Sequence, residues 1–343
     1  MWPRLTDEAL ELGDEVTTFA DLLLLGIATG LVEEAMGFTR RGLWALEQAD
    51  SDLPREKLLE EAVTFRRARR LESGQDLRAW LEARLLTMDD WEAHLRRSLA
   101  VRQLATSAIP AGAPEIGLDC RTFAVDLVCG GWWRRFADLA GCLWAASRLV
   151  GNDLNVEEDQ IGDESGRIMA MLEPLIALGE TWCTEALRRV RTRERALEET
   201  ARRCATADAV AARILEHASE WTELRFDELL LPSREAANEA LLCARDDGIG
   251  AADLAARAQL PLLQFCSRHD ALPVEAASLL EGALPDQPFG PVARDGRWAV
   301  LWLRERRRPS LEDDATRAAA SAELLEEALL RATKGLVREV GLL

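Results

Sequence analysis

Apolar positions recur at three- and four-residue intervals over the first two thirds of the chain, the period of a helix face. Val16, Phe19, Leu22, Leu23 and Ile27 predict a helix over residues 14–34, with Gly37 as its stop. Leu58, Leu59, Ala62 and Phe65 predict another over 53–71, where Pro54 suits a first-turn position and Ser73-Gly74 breaks the run. A short amphipathic helix follows over 75–84 with Leu77, Trp80 and Leu81. Thr87 with Asp90 three residues on is a capping start for a helix carrying Trp91, Leu95 and Leu99. Two prolines in residues 110–114 read as a linker. Further helices are expected over 123–149, 168–187 and 196–217, with the acidic stretch 151–166 as a loop.

The pattern changes at Trp221. Residues 224–231, rich in Leu and Phe and ended by Pro232-Ser233, read as a strand. Helices over 234–245 and 251–258, a short strand or turn over 260–266 and a helix over 274–281 follow. After a loop at 286–291, segments 290–293 and 297–304 flank Asp295-Gly296, a hairpin signal. A closing helix over 311–340 carries Leu324, Leu325, Ala328, Leu329 and Leu336, which need a partner face, expected on the helices of residues 14–99. The order predicts a mainly α protein with a small α+β domain. Its parts are a helical domain (1–109), a helical region of unassigned role (110–220), the α+β domain (221–308) and a C-terminal helix (309–343) packing on the first.

Composition narrows the function classes. The chain of 343 residues carries 42 Lys and Arg against 60 Asp and Glu, a net charge of −18. Such a surface repels phosphate, so nucleic acid is not the expected partner. The longest apolar stretch, near residues 22–25, is too short to span a bilayer, and no membrane partner is expected. Acids at the start of the chain stand where a secretory signal needs a basic start, and the seven scattered cysteines include no CxxC pair. Free thiols in a reducing compartment, hence a cytoplasmic location, are the expectation. His94, His217 and His269 are dispersed without a cysteine cluster, so neither a metal nor another cofactor is expected.

Particular motifs point further. A strand ending in Leu231-Pro232-Ser233 runs into an Ala- and Glu-rich helix. Then come Ala251-Ala-Asp-Leu-Ala-Ala-Arg-Ala258, Phe265-Cys-Ser-Arg268, Leu279-Leu-Glu-Gly-Ala-Leu284, Gly290-Pro291-Val292 and Asp295-Gly296. In this order they resemble a parvulin (PpiC-type) peptidyl-prolyl isomerase domain over residues 221–306. Residues 13–105, chiefly Leu77–Arg84 with Thr87–Glu92, resemble the helical N-terminal domain of SurA-type chaperones. The C-terminal helix resembles the one such chaperones fold back onto that domain. Residues 106–220 match no family.

The departures bear on chemistry. The resemblance places Glu228 (Asp227 in a shifted register) and Trp298 where active parvulins carry histidines. The loop between Ala258 and Phe265 is largely deleted. Prolyl isomerisation faces a barrier of about 20 kcal/mol, and lowering it needs polar groups that favour the twisted amide beside an apolar pocket. Without them catalysis is expected to be lost, while a peptide-binding concavity can persist on shape and apolar walls. The resemblance therefore implies a chaperone-like protein binding unfolded polypeptide, or in a more specific version a precursor peptide. Leu272, Val274, Phe289 and Trp133 are the expected contacts. Competing readings are an active prolyl isomerase using Glu228, Cys266 or His269, and a structural or adaptor subunit. Cys266 and His269, three apart, lack a spaced acid partner. Trp298 and Trp302 share one strand face and are expected to fill space. The basic run 304–308 reads as a solvated strand exit, or as a dock for an acidic segment.

Overall fold

A computed structural model of the chain describes residues 7–48, 53–104, 118–151, 154, 158–172, 180–294, 296–334 and 336–339. The linker at 110–114, Asp295 of the expected hairpin turn and the middle of the helix expected over 168–187 fall outside them. The chain is mainly α with a small α+β region, and it divides into two compact units, Met1–Thr200 with Ala328–Leu343, and Ala201–Glu327.

The first unit opens with β1 (Glu8–Leu12) and β2 (Glu15–Thr18), an antiparallel pair whose second strand lies where periodicity predicts the start of a helix over 14–34. Gly13, at φ +64°, makes the reversal between them, and β1 buries Ala9, Leu10 and Leu12. Helix α1 (Phe19–Ala28) then begins at a capping box, in which the Thr18 hydroxyl accepts from Asp21 N–H and Asp21 accepts from Thr18 N–H. Helix α2 (Leu31–Gln48) runs straight through Gly37. A glycine inside a helix costs about 1 kcal/mol, which the buried face of Val32, Ala35, Thr39 and Ala45 outweighs. Next come α3 (Arg55–Ala68), α4 (Gly74–Ala83), α5 (Met88–Leu104) and α6 (Cys120–Cys129), which share a core of Phe65, Leu77, Leu81, Trp91, Leu95 and Val125. Helices α7 (Trp132–Val150), α8 (Glu158–Leu172) and α9 (Glu180–Cys204) follow. Part of the expected loop 151–166 is therefore helical. Ile161 and Ile168, seven apart, bury one face of α8, while Asp163 is exposed and Glu164 pairs with Arg191 of α9.

The second unit holds α10 (Ala207–Glu216), β3 (Glu223–Leu231), α11 (Arg234–Asp246), α12 (Ala251–Ala258) and β4 (Leu262–Arg268). A 3-10 turn (His269–Ala271), α13 (Val274–Glu281), β5 (Pro288–Arg294) and β6 (Arg297–Arg307) complete an antiparallel sheet in the order β4-β3-β6-β5. Leu229, Leu231, Val300 and Trp302 face α11 and α12, whereas Leu224, Phe226, Leu301 and Leu303 face the side where α13 packs.

The expected closing helix is shorter than its pattern. Helix α14 (Asp314–Thr333) starts where Asp313 accepts from Thr316 N–H, and β7 (Val337–Glu339) follows it, pairing with β1 so that Leu12 stands opposite Val337. An open strand edge offers backbone hydrogen bonds that a helical end does not. Near its start α14 packs Ala320 and Leu324 with Val210, Ile214 and Trp221 of the second unit, whereas the chain from Ala328 on belongs to the first unit.

Candidate functional site

Strand β3 is the second of four and covered on both faces, and its largely buried part, Phe226–Leu231, is mostly apolar. Two carboxylates interrupt it, and side-chain alternation sends them to opposite faces. Asp227 stands opposite Trp302, toward α11 and α12, and accepts from Arg304 Nε at 2.7 Å. Glu228 stands opposite Leu301 on the α13 face and is 0% exposed.

Four residues line up across that face, Leu263 of β4, Glu228, Leu301 of β6 and Phe289 of β5. Leu230, Phe265, Leu272 and Phe289 are half-buried against the core beneath α13. Phe265 stacks on Phe226 with ring centres 5.6 Å apart. Arg294, the last residue of β5, brings Nε to 3.4 Å from Glu228 Oε1 and lays its guanidinium 5.2 Å from the centre of the Phe265 ring. The face is thus a half-open apolar floor around one buried anion and one cation.

Each expected site residue now has a place. Glu228, Leu272 and Phe289 belong to this face, with Val274 85% exposed at the start of α13. Trp298 does not share the face. It stands opposite Leu231 and packs with Trp302 toward α11 and α12, so it cannot complete a site with Glu228. The pairing of Phe226–Leu231 with β6 is unbroken, and in it Glu228 (opposite Leu301) and Trp298 (opposite Leu231) fall on opposite faces. Trp133 is also displaced from its expected role. It is 5% exposed in the first unit, edge-on to Phe19 at 5.3 Å and to Phe136 at 5.5 Å. Arg294 and Phe265 are the contributors that the sequence reading missed. Their signal was position, a long cation ending a strand and an aromatic on the neighbouring edge.

The Cys266–His269 pair offers no nucleophile. Cys266 donates to Glu223 Oε1 at 2.6 Å, and that bond pushes the thiol above its ordinary range, so it stays protonated. Among the described residues no group of three or more His, Cys, Asp or Glu is placed to hold a metal ion. No single described helix is long and apolar enough to cross a membrane. The first unit contains a cavity of about 300 Å³ lined in part by Leu22, Leu25, Leu143 and Val190. Its arginines Arg189 and Arg193 pair with Asp21 and Glu15.

No protein-family model matches the chain, and no curated protein sequence matches it. Solved structures similar to it include two foldase proteins PrsA. That of Streptococcus pneumoniae is 12% identical at a TM-score of 0.26, over 61% of this chain and 83% of its own. That of Lactococcus lactis is 12% identical at 0.27, over 60% and 84%. A chain described among the SurA-like chaperones PEB4 and Cj1289 of Campylobacter jejuni is 7% identical at 0.21, over 62% and 88%. With TM-scores under 0.5, these state what the chain is similar to and decide neither its architecture nor its activity.

Proposed function

We propose that the chain is a chaperone-like protein whose second unit binds extended segments of unfolded polypeptide, or of a precursor peptide, on the α13 face of its sheet. In this reading it turns over no prolyl bond. The observation that carries it is the floor of half-buried Phe265, Leu272 and Phe289 around buried Glu228, on a sheet without a histidine. Apolar walls are sufficient to hold a peptide loosely, whereas rotating a prolyl amide needs polar groups set against the twisted state. Exposed Val274 and Leu279 extend the apolar surface along α13. The net charge of −18 favours basic or apolar clients, because like charge slows encounter. The free cysteines suit a reducing cytoplasm, which we propose as the location.

The test is fluorescence anisotropy with labelled unfolded peptides, beside a protease-coupled prolyl assay. Micromolar binding, about −8 kcal/mol, is expected, weakened about tenfold or more by Leu272→Asp or Phe289→Asp, with no acceleration of isomerisation. Binding absent at high micromolar peptide, or equal in parent and variants, removes the chaperone reading. Turnover lost in Glu228→Gln would restore the isomerase reading.

A further inference from the structure

Three consecutive exposed arginines, Arg306, Arg307 and Arg308, stand at the end of β6 and just past it, in a chain whose net charge is −18. Alternation along the strand sends Arg306 and Arg307 to opposite faces. Arg306 borders a hollow of about 300 Å³, Arg307 borders one of about 130 Å³, and Arg308 lines both. Among the described residues none of the three forms an ion pair. Arg306 donates to the Leu280 and Glu281 carbonyls at the end of α13, at 2.7 and 2.8 Å. Arg307 acts on Asp313 only at a distance, and Arg308 has no polar partner. Two buried nitrogens nearby, Arg268 Nε and His269 Nε2, have no hydrogen-bond partner. Arg268 lines the smaller hollow and His269 the larger. An unmet buried N–H such as that of Arg268 is uncommon and marks a place short of an acceptor.

We propose that the two hollows around Arg308 dock carboxylate side chains from an acidic segment of a partner protein. The inference goes beyond the peptide-binding reading and uses none of its residues. Pockets that hold whole small molecules measure about 300–1,000 Å³, so hollows at or below that limit suit single side chains of a larger partner. A guanidinium takes a carboxylate with two parallel donors, and those of Arg308 are unengaged. Three acids also border the hollows. Glu223 accepts from the Cys266 thiol, Asp313 accepts from the Thr316 hydroxyl and N–H, and Glu281 is exposed. Their fixed negative charges disfavour the dense, regular phosphates of a nucleic acid, whereas the acids of a peptide are spaced by its sequence. The net charge of −18 does not decide the contact. Screening acts within about 8 Å at physiological ionic strength, so an anion in the hollows meets chiefly the local arginines.

The experiment uses the full chain and two labelled peptides, one of alternating Glu and Ser and its twin with Gln for Glu. Neither carries an apolar residue, so the α13 face has nothing to hold and failure here leaves the peptide-binding reading standing. Charge-assisted hydrogen bonds predict, by fluorescence anisotropy, that the Glu peptide binds about tenfold tighter or better. In Arg308→Gln the ratio should fall about threefold or more. Arg257→Gln, which removes one exposed charge from α12 of the same unit, should leave it unchanged. Arg308→Glu should bind a peptide of alternating Lys and Ser tighter than the parent does, a gain that misfolding cannot imitate. Equal binding of the Glu and Gln peptides by the parent, or no gain in Arg308→Glu, refutes the site. A ratio kept in Arg308→Gln, or lost as far in Arg257→Gln, shows attraction without these hollows and refutes it too. Sedimentation with phosphatidylserine vesicles that depends on Arg308, without preference for the Glu peptide, assigns the patch to a lipid surface instead.

Discussion

Asp126 of the first unit and Glu228 of the second are both buried carboxylates, and the chain treats them differently. Asp126 on α6, 1% exposed, accepts from Arg97 Nε at 3.0 and 3.2 Å, from a second Arg97 nitrogen at 2.7 Å, and is 2.8 Å from His94 Nδ1. Both partners are buried on α5. Burial alone would raise the Asp126 carboxyl, but the hydrogen bonds from His94 and Arg97 overcome it and hold the group below its usual 3.8. Glu228 is as buried, yet its cation stands partly in water at a longer distance. Buried donors tie Asp126 to α5, whereas the cation that reaches Glu228 has a side chain 30% exposed to water.

The largest expected effect breaks the tighter cluster. Asp126→Ala leaves Arg97 buried without its carboxylate and should cost about 3–5 kcal/mol in denaturant unfolding of the first unit. Acid should reach the same interaction without mutation. Because the folded Asp126 binds its proton less readily than the unfolded chain, its contribution is present above the unfolded value near 3.8 and is lost as pH falls through the lower folded value. Stability measured against pH should fall below about pH 4 in the parent, and that component of the slope should vanish in Asp126→Ala.

A smaller effect lies at the helix crossing that sets Arg97. A Cβ at Gly42 of α2 would stand 2.7 Å from Arg97 Cβ and 3.3 Å from its Cα, so Gly42→Ala should force α5 away at about 1–3 kcal/mol by thermal or denaturant unfolding. The smallest is Glu228→Gln, where Arg294 can turn into water and the isostere keeps the packing. A change within about 1 kcal/mol is expected. A loss as large as that of Asp126→Ala would erase the contrast and make the Glu228 pair structural.

Much of the second unit was legible in the order of its residues. Ser233 accepts from Ala236 N–H and starts α11 where the Pro-Ser break predicted. α12 and α13 have the predicted bounds, because each buries a short face of Ala and Leu spaced for a helix. The hairpin at 8–18 was not legible. Two strands of a few residues share their apolar content with one helical turn, and only pairing separates the two. Of the candidate site, Glu228, Leu272 and Phe289 were found as chemistry out of place or apolar residues beside it, while Trp133 and Trp298 were not placed, since an aromatic serves core and groove equally well.

The sequence by itself determined the helical face of most of the chain, the strand and helix order after Trp221, the acidic surface and the absence of histidine from the sheet. Each follows from residue type and spacing along one segment. Only the tertiary structure decided that Trp298 turns away from Glu228, that Trp133 is core, that β7 joins β1 and that Arg294 crosses a strand to reach a buried carboxylate. Those depend on register and on which distant surfaces meet, and one residue of shift in a strand exchanges the faces of everything on it.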